Sequence, residues 1–464
     1  MKYLEHKMEL ATADGTEAEA HVVRLTREQV IADLFSPGSV LRASEALPNV
    51  KIAVGGQVVY NGRAVVQDVV STGGSERCTL NLESDGLVLE VLPGVGPDWK
   101  KSYRDFTTEF QGLRRIQRDF KTAVVDLYHF LTSLKIWLDR AEMSFSTMPK
   151  AAAAQSEREL IEQIRPALLQ TLAGLTARFE DEASRVEPSE RLYHEHYVRT
   201  LLHPLVLCAP FAHRTYSKPL GYAGDYEMMN MIHRRGGEGK TLYARVVHHW
   251  LVEQPPAEAV RNRVSYLGER IVTEALRVHH EGRRARILNV GCGPAREVEE
   301  FIERSQLSDN VDFYLIDFNE ETLRYVGDTL TRAIRKAGRK TGVHPIEMSV
   351  YHLLRKSVSD KFNEKDRYDM VYCAGLFDYL SAGVSKQLVS MFVKFVRPGG
   401  LILVANMDDS RPFRYNTEYL LDWHLIYRDS REMTALAPAN FAGQSHVSIE
   451  PAIVNLFLEL RPGI

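Results

Sequence analysis

The run from Ala285 to Phe301, ARILNVGCGPAREVEEF, limits what this chain can fold into more than any other stretch. Ile287 to Val290 is short and apolar, Gly291-Cys292-Gly293-Pro294-Ala295 is a turn, and a polar segment follows with apolar returns at Val298, Phe301 and Ile302. Strand, glycine turn and helix in that order form the opening βα unit of a nucleotide-binding sheet. Gly291 permits the tight turn, and Gly293 lets a ligand approach the backbone closely. A lone Gly-x-Gly is more often an ordinary strand-to-helix turn, so the neighbouring positions carry the argument.

Those positions favour S-adenosylmethionine over a dinucleotide. The dinucleotide fingerprint needs a small third residue at position 296, where helix and strand pack closely, and Arg296 stands there. A loop whose third small residue falls one place earlier is satisfied by Ala295. A second apolar run, Val311 to Ile316, ends in Asp317, about one helix and one strand after Gly291. An acid at that strand tip can accept hydrogen bonds from both hydroxyls of a ribose. The plainer reading of Asp317 is a helix cap before Asn319-Glu320-Glu321. A buried strand over Arg367–Ala374, a loop from Gly375 to Leu380, a helix over Val384–Val396, the breaker Arg397-Pro398-Gly399-Gly400 and a strand over Leu401–Asn406 continue the sheet.

NVGCGPA, YLIDFN, YDMVYCAGLFDYL and VRPGGLILVANM, in this order and spacing, resemble the motifs of class I S-adenosylmethionine-dependent methyltransferases. The resemblance covers Arg283 to the C-terminus and implies a Rossmann-like α/β sheet. It implies a cofactor site at Gly291, Cys292, Gly293, Asp317, Phe318, Cys373, Ala374 and Gly375. The strings HRTYSKPLGYAGDYEMMNMI, NVGCGPAREVEEF and DWHLIYRDSREM together resemble bacterial 3-hydroxy-fatty-acid methyl ester (extracellular factor) biosynthesis proteins. That implies methylation of a hydroxy fatty acid to a quorum-signal ester in a bacterial cytoplasm.

The expected architecture has three parts: a small β-barrel over 1–92, a helical hairpin or bundle over 99–212 and the methyltransferase domain with its helical lid over 213–464. Short β-rich runs at His21–Leu25, Ser39–Arg42, Val50–Val54, Val58–Tyr60, Ala64–Val66 and Thr79–Leu82 suggest the barrel. Asn61-Gly62 gives a hairpin signal, and Gly55-Gly56 and Gly73-Gly74 give turns. This part resembles a PilZ-type barrel. It departs from that family's cyclic di-GMP motifs: Arg24 and Arg27 are spaced too closely, and Leu34-Phe35-Ser36-Pro37-Gly38 lacks the acid or amide before the serine. A barrel used for contacts is the favoured reading.

Leu92 to Pro97 reads as a linker. A continuous helix is expected from Trp99 to Phe145, with an apolar seam at Phe106, Phe110, Leu113, Phe120, Val124, Leu127, Leu131, Leu134 and Leu138 and one polar member, Gln117. Ser156-Glu157-Arg158-Glu159 reads as the capping box of the next helix, to Val186. The seam either packs on that second helix or forms a homodimer with Gln117 setting register; the first is favoured. His194 and His196 point to different helix faces, which counts against a metal site. The polar, aromatic stretch from His213 to Met229, with Tyr222 and Asp225, reads as an active-site lid, and as a plain helix cap at Asp225 otherwise. A helix over Pro256–His280 carries Arg263, which could reach a cofactor carboxylate or sit at the surface.

Methyl transfer to a carboxylate needs no base, only cations or donors to hold the acceptor, for which Tyr222, Arg411, Arg414 and His424 stand as candidates. Phe377, Tyr379 and Trp423 are candidates for an acyl channel. A hydroxyl acceptor would instead want a base, Asp225 or His213. A non-catalytic cofactor-binding regulator is the alternative from another class. With 58 basic and 61 acidic residues, the formal charge of -3 argues against a general nucleic-acid binder. Four scattered cysteines form no CxxC pair and fit a reducing cytosol. No apolar run is long enough to span a membrane.

Overall fold

A computed structural model describes residues 6–12, 16–34, 41, 44–55, 57–71, 76–83, 86–88, 99–112, 115–355, 367–410, 413–439 and 441–463. Alternating apolar positions near the N-terminus form six strands: β1 His6–Ala11, β2 Glu17–Leu25, β3 Gln29–Leu34, β4 Ala46–Val54, β5 Gln57–Ser71 and β6 Glu76–Leu82. They close into an antiparallel barrel of order β1-β2-β3-β6-β5-β4. Period-two alternation sends Met8, Leu10, Val30, Ile52, Tyr60 and Leu80 inward, so the interior is filled by side chains. The Asn61-Gly62 hairpin does not form. β5 runs straight through it, and the reversal falls earlier, where Val54 pairs with Gln57 around Gly55 at φ +59°. Gly62 is small for another reason: a Cβ there would stand 2.7 Å from the Cα of Gly86. The expected strand over Ser39–Arg42, the Gly73-Gly74 turn, the residues from Phe35 to Gly38 and the linker fall outside the described residues, apart from Leu41, which is not in a strand.

The long helix is broken. α1 spans Trp99–Gly112 and α2 spans Arg118–Phe145, with Gln117 extended at ψ 143° as the N-cap of α2. Gln117 is therefore no seam member. Phe120, Val124, Leu127, Leu131 and Leu138 are buried, whereas Phe106 and Phe110 are 38% and 51% exposed; Leu113 is outside the described residues. α3, Lys150–Ser184, begins before the predicted capping box, so Ser156 and Glu159 lie inside it. α4 spans Arg191–Val206 and α5 spans Pro210–Ser217. His194 is a core residue whose Nδ1 lies 2.9 Å from the Glu190 carbonyl while Nε2 accepts from the Gln117 N–H. Next come α6 Tyr226–Arg234, α7 Leu242–Val252 and α8 Pro255–His280.

The second half alternates strand and helix: β7 Ala285–Val290, α9 Arg296–Arg304, β8 Val311–Asp317, α10 Glu320–Ala337, β9 Gly342–Glu347, α11 Val350–Leu353, β10 Tyr368–Cys373, α12 Ala382–Phe395 and β11 Val396–Met407. α13 Arg414–Leu421, α14 Ser430–Thr434, β12 Gly443–Ile449 and β13 Asn455–Pro462 complete it. The seven strands order as β12-β13-β11-β10-β7-β8-β9. β7 to β11 are mutually parallel, and β13 joins antiparallel to β11. This is the Rossmann-like α/β sheet expected from the sequence. One core packs α8, α9 and α10 on one face of the sheet; a second packs α12 and α14 on the other. Strand order reverses between β7 and β10, and ligands of open sheets bind in the crevice that such a reversal leaves at the carboxyl ends.

The chain divides into two compact units that interleave in sequence. The first is Met1–Ser217, Gly236–Leu251 and Pro412–Trp423; the second is Lys218–Arg235, Val252–Arg411 and His424–Ile464. No helix among the described residues is long and apolar enough to cross a membrane.

Candidate active site

The crevice of the second unit is built on the loop after β7. Gly291, Gly293 and Ala295 adopt left-handed φ of +69°, +52° and +48°. This sequence of turns brings the loop back against β8, where the Gly291 and Cys292 amides donate to the Ile316 carbonyl at 2.8 and 3.0 Å. A Cβ on Gly293 would meet nothing within 4 Å, so this glycine borders open space. A ligand can reach the backbone there, which a larger residue would block. Cys292 is buried, its thiol pushed well up by burial and by the Asp317 charge, so it packs and does not react.

Asp317 ends β8 beside this loop. One oxygen accepts from the Gly293 amide at 3.2 Å and the other from the Asn319 amide at 3.1 Å. Burial raises its pKa, while those amides oppose the rise. It does not cap the following helix: Asn319 does, accepting from the Thr322 amide at 2.9 Å. Phe318 is 52% exposed, unusual for an aromatic next to a buried strand. Tyr222 packs on it at 5.2 Å between ring centroids, and burial, then the Asp317 charge, push the Tyr222 hydroxyl up to about 12.

The segment before α6 therefore borders the crevice. Gly221 and Gly224, at φ +86° and +82°, bend it, and the Tyr379 hydroxyl donates to the Ala223 carbonyl at 3.0 Å. Asp225 is the N-cap of α6, 2% exposed, accepting from the Met228 amide at 2.9 Å. It is thus occupied by a cap's task. His213 lies on α5 in the first unit, outside this segment.

On the β10 side, Cys373 and Ala374 are buried and Gly375 is exposed. A Cβ on Gly375 would lie 3.6 Å from the guanidinium of Arg263. Arg263 comes from α8 and also touches the Met229 sulfur at 4.0 Å. Among the described residues no carboxylate lies within ion-pair distance of it. Burial lowers its pKa, while Asp378 and Glu297 pull the other way. A half-buried cation without a close anion is costly unless a ligand supplies the charge.

Three groups behind the site were not singled out in the sequence. Glu297, in the first turn of α9, is buried and accepts from Tyr372 at 2.7 Å and from Asn289 at 3.1 Å. This locks the helix start onto β7 and β10. Asp378 accepts from the Met407 amide at 2.6 Å. Buried Arg428 donates to the Phe377 and Leu380 carbonyls and to Asn406, tying the loop after β10 to the end of β11. Each pairs residues far apart in sequence, which no local pattern reveals.

Two of the remaining candidates, Arg414 and Trp423, belong to the first unit. Arg414 opens α13 in the first unit, its Nε donating to Glu418 at 2.8 Å, and Trp423 is buried in that unit. Arg263 is a cation that borders the crevice. Phe377 is wholly buried core, so it does not line a channel. His424 is exposed on an irregular segment, and Arg411 is outside the described residues.

No protein-family profile matches the chain, and no curated protein matches it. Solved structures do. A possible exported protein from Bordetella parapertussis aligns over 63% of this chain and 96% of its own, with 16% identity and a TM-score of 0.38. The N-methyltransferase NodS from Bradyrhizobium japonicum WM9, in complex with S-adenosyl-L-homocysteine, aligns over 54% and 98%, with 16% identity and a TM-score of 0.30. Magnesium protoporphyrin IX methyltransferase (ChlM) from Synechocystis PCC 6803, also with the homocysteine product bound, aligns over 54% and 97%, with 10% identity and a TM-score of 0.33.

Proposed function

We propose that the chain is an S-adenosylmethionine-dependent methyltransferase. The observation that carries this reading is the open face of Gly293 beside Asp317, with Arg263 near Gly375 across the switch point. When bound, S-adenosylmethionine supplies a sulfonium methyl that departs by in-line displacement. The chain's own residues have the complementary chemistry. Gly291 and Gly293 admit the ligand to the backbone, Asp317 can exchange its amide bond to Gly293 for ribose hydroxyls, and Phe318 offers a flat apolar face for a base. Arg263 provides the fork that a carboxylate takes bidentately. Tyr222 and the Tyr379–Ala223 bond hold the strap that excludes water from the reacting centre.

For the acceptor, we read a small-molecule carboxylate of the 3-hydroxy fatty acid type that the sequence resemblance implies. The supporting observation is that Asp225, the acid best placed in sequence to be a base, is engaged as a buried cap. An ionised carboxylate needs no base. Calorimetry should find S-adenosylmethionine binding and no NAD binding; the reverse would overturn the cofactor reading. Incubation with a panel of 3-hydroxy acids, read by methyl-ester mass spectrometry, tests the acceptor. Cofactor binding without any ester would leave a regulator, or an enzyme acting on a hydroxyl or amine.

A further inference from the structure

Within the first unit, a cleft of about 370 Å³ separates the outer face of the barrel at β1–β3 from α4 and α5. Its walls hold ten titratable side chains. β1 presents His6 and Lys7, β2 presents Glu19 and His21, and β3 presents Asp33; α4 presents Glu195, His196, Arg199 and His203, and α5 presents Tyr216. Fixed charges are nearly balanced and already matched. Lys7 pairs with Glu19 at 2.7 Å, Asp33 with Arg77 of β6 at 2.7 Å, and Arg199 with Asp422 at 2.9 Å. The imidazoles are therefore the groups whose charge can change near neutral pH.

We propose that this cleft is a pH-operated clasp, in which neutral histidines keep the barrel seated on α4 and α5 and their protonation releases it. The Nδ1 of His6 is buried without a hydrogen-bond partner among the described residues. It stands beside Lys7 in the wall of the cleft. His21 lies on the strand paired with β1, directly opposite Lys7, so a charge on its ring repels the Lys7 cation. The Nε2 of His203 donates to the Leu420 carbonyl at 3.0 Å, and the ring packs on Tyr216 at 4.6 Å and stands near the Arg199 cation. Acidification thus adds positive charge to a cleft whose carboxylates are already engaged.

Burial lowers the pKa of His21, with His6 as the second cause and Asp33 opposing. Burial lowers that of His213 on α5, with Glu19 opposing, and brings His203 to about 3. A released histidine returns towards ~6.5. Between that value and the lowered ones, the released state binds more protons. The seated state is therefore fully favoured above pH ~7 and loses ground as pH falls through ~6.5.

The test uses the full chain with Val23→Cys on β2 and Ile136→Cys on α2, positions 49% and 53% exposed, while the native cysteines are all buried. Spin labels there report the barrel-to-helix distance. A single distance is expected at pH ~8, and a longer population growing roughly threefold or more by pH ~5.5 with far-UV dichroism unchanged. His6→Gln combined with His21→Gln should at least halve that growth. A distance unchanged down to pH ~5.5, or a full response in the double variant, overturns the proposal. If the dichroism collapses by pH ~5.5, the same comparison at pH ~6 decides, because the protons are taken up from ~6.5 downwards.

Discussion

The barrel and the parallel sheet solve the problem of unpaired strand edges in opposite ways. The barrel closes on itself, and its interior is consumed by packing around Tyr60, whose hydroxyl accepts the Glu83 amide at 3.0 Å. The sheet stays open, and its reversal between β7 and β10 leaves a crevice no strand can fill. Glycine shows the difference. Gly62 in the barrel is small because another backbone lies against it, whereas Gly293 in the sheet is small with nothing against it. One glycine serves the protein's packing; the other leaves room for a ligand.

Substitutions at such positions should separate the two. The largest effect is expected from Gly293→Leu, which puts a side chain into the open face at a left-handed φ. Cofactor affinity by calorimetry should fall by about 100-fold or more, ~3 kcal/mol. Retained affinity would mean that the open face is not the ligand's. Next, Arg263→Ala should weaken binding by about 2 kcal/mol, the worth of a charged hydrogen bond, with Arg263→Lys recovering part of it. An unchanged affinity in a folded variant would make Arg263 structural. Asp317→Ala should cost cofactor binding about 1–3 kcal/mol.

Gly62→Val makes the reciprocal test. It should destabilise the barrel by about 1–3 kcal/mol in denaturant titrations while leaving cofactor affinity near wild type. A loss of affinity of the same size would break the contrast. The smallest effect is expected from Asp225→Asn. Asparagine also caps helices, so stability should change by less than about 1 kcal/mol and turnover of a carboxylate acceptor should stay near wild type. Abolished turnover would restore Asp225 as a base and point to a hydroxyl or amine acceptor.

The parts legible in the sequence are those set by near neighbours. The strand, turn and helix around Gly291 follow from apolar period and glycine placement, and Asp317 follows at the next strand tip. The alternation in β2 and β6 marks strands for the same reason. Where two local signals competed, the sequence misled. Asn61-Gly62 is a good hairpin dipeptide, yet β5 passes through it because pairing with β4 and contact with Gly86 outweigh turn propensity. The seam from Phe106 to Leu138 keeps its spacing across a break in the helix. Gly112 ends α1 where a Cβ would strike the ring of Tyr193, a residue of a later helix. Ser156 and Glu159 have cap spacing, but cap only where the preceding residue leaves the helix, and α3 had already begun.

The sequence alone determined the alternation of strand and helix after Ala285, the glycine loop and the acid two elements later, since these depend on residues within a few turns of one another. Only tertiary structure decided what surrounds them. It set Arg263 of α8 beside Gly375, held the start of α9 through Glu297, Tyr372 and Asn289, and fixed Arg428 under the loop after β10. It also spent Asp225 on a helix cap and Arg414 on Glu418. The physical reason is that burial and hydrogen-bond satisfaction are properties of a residue's spatial neighbours. A charged side chain becomes a ligand group only where folding leaves it without a closer partner.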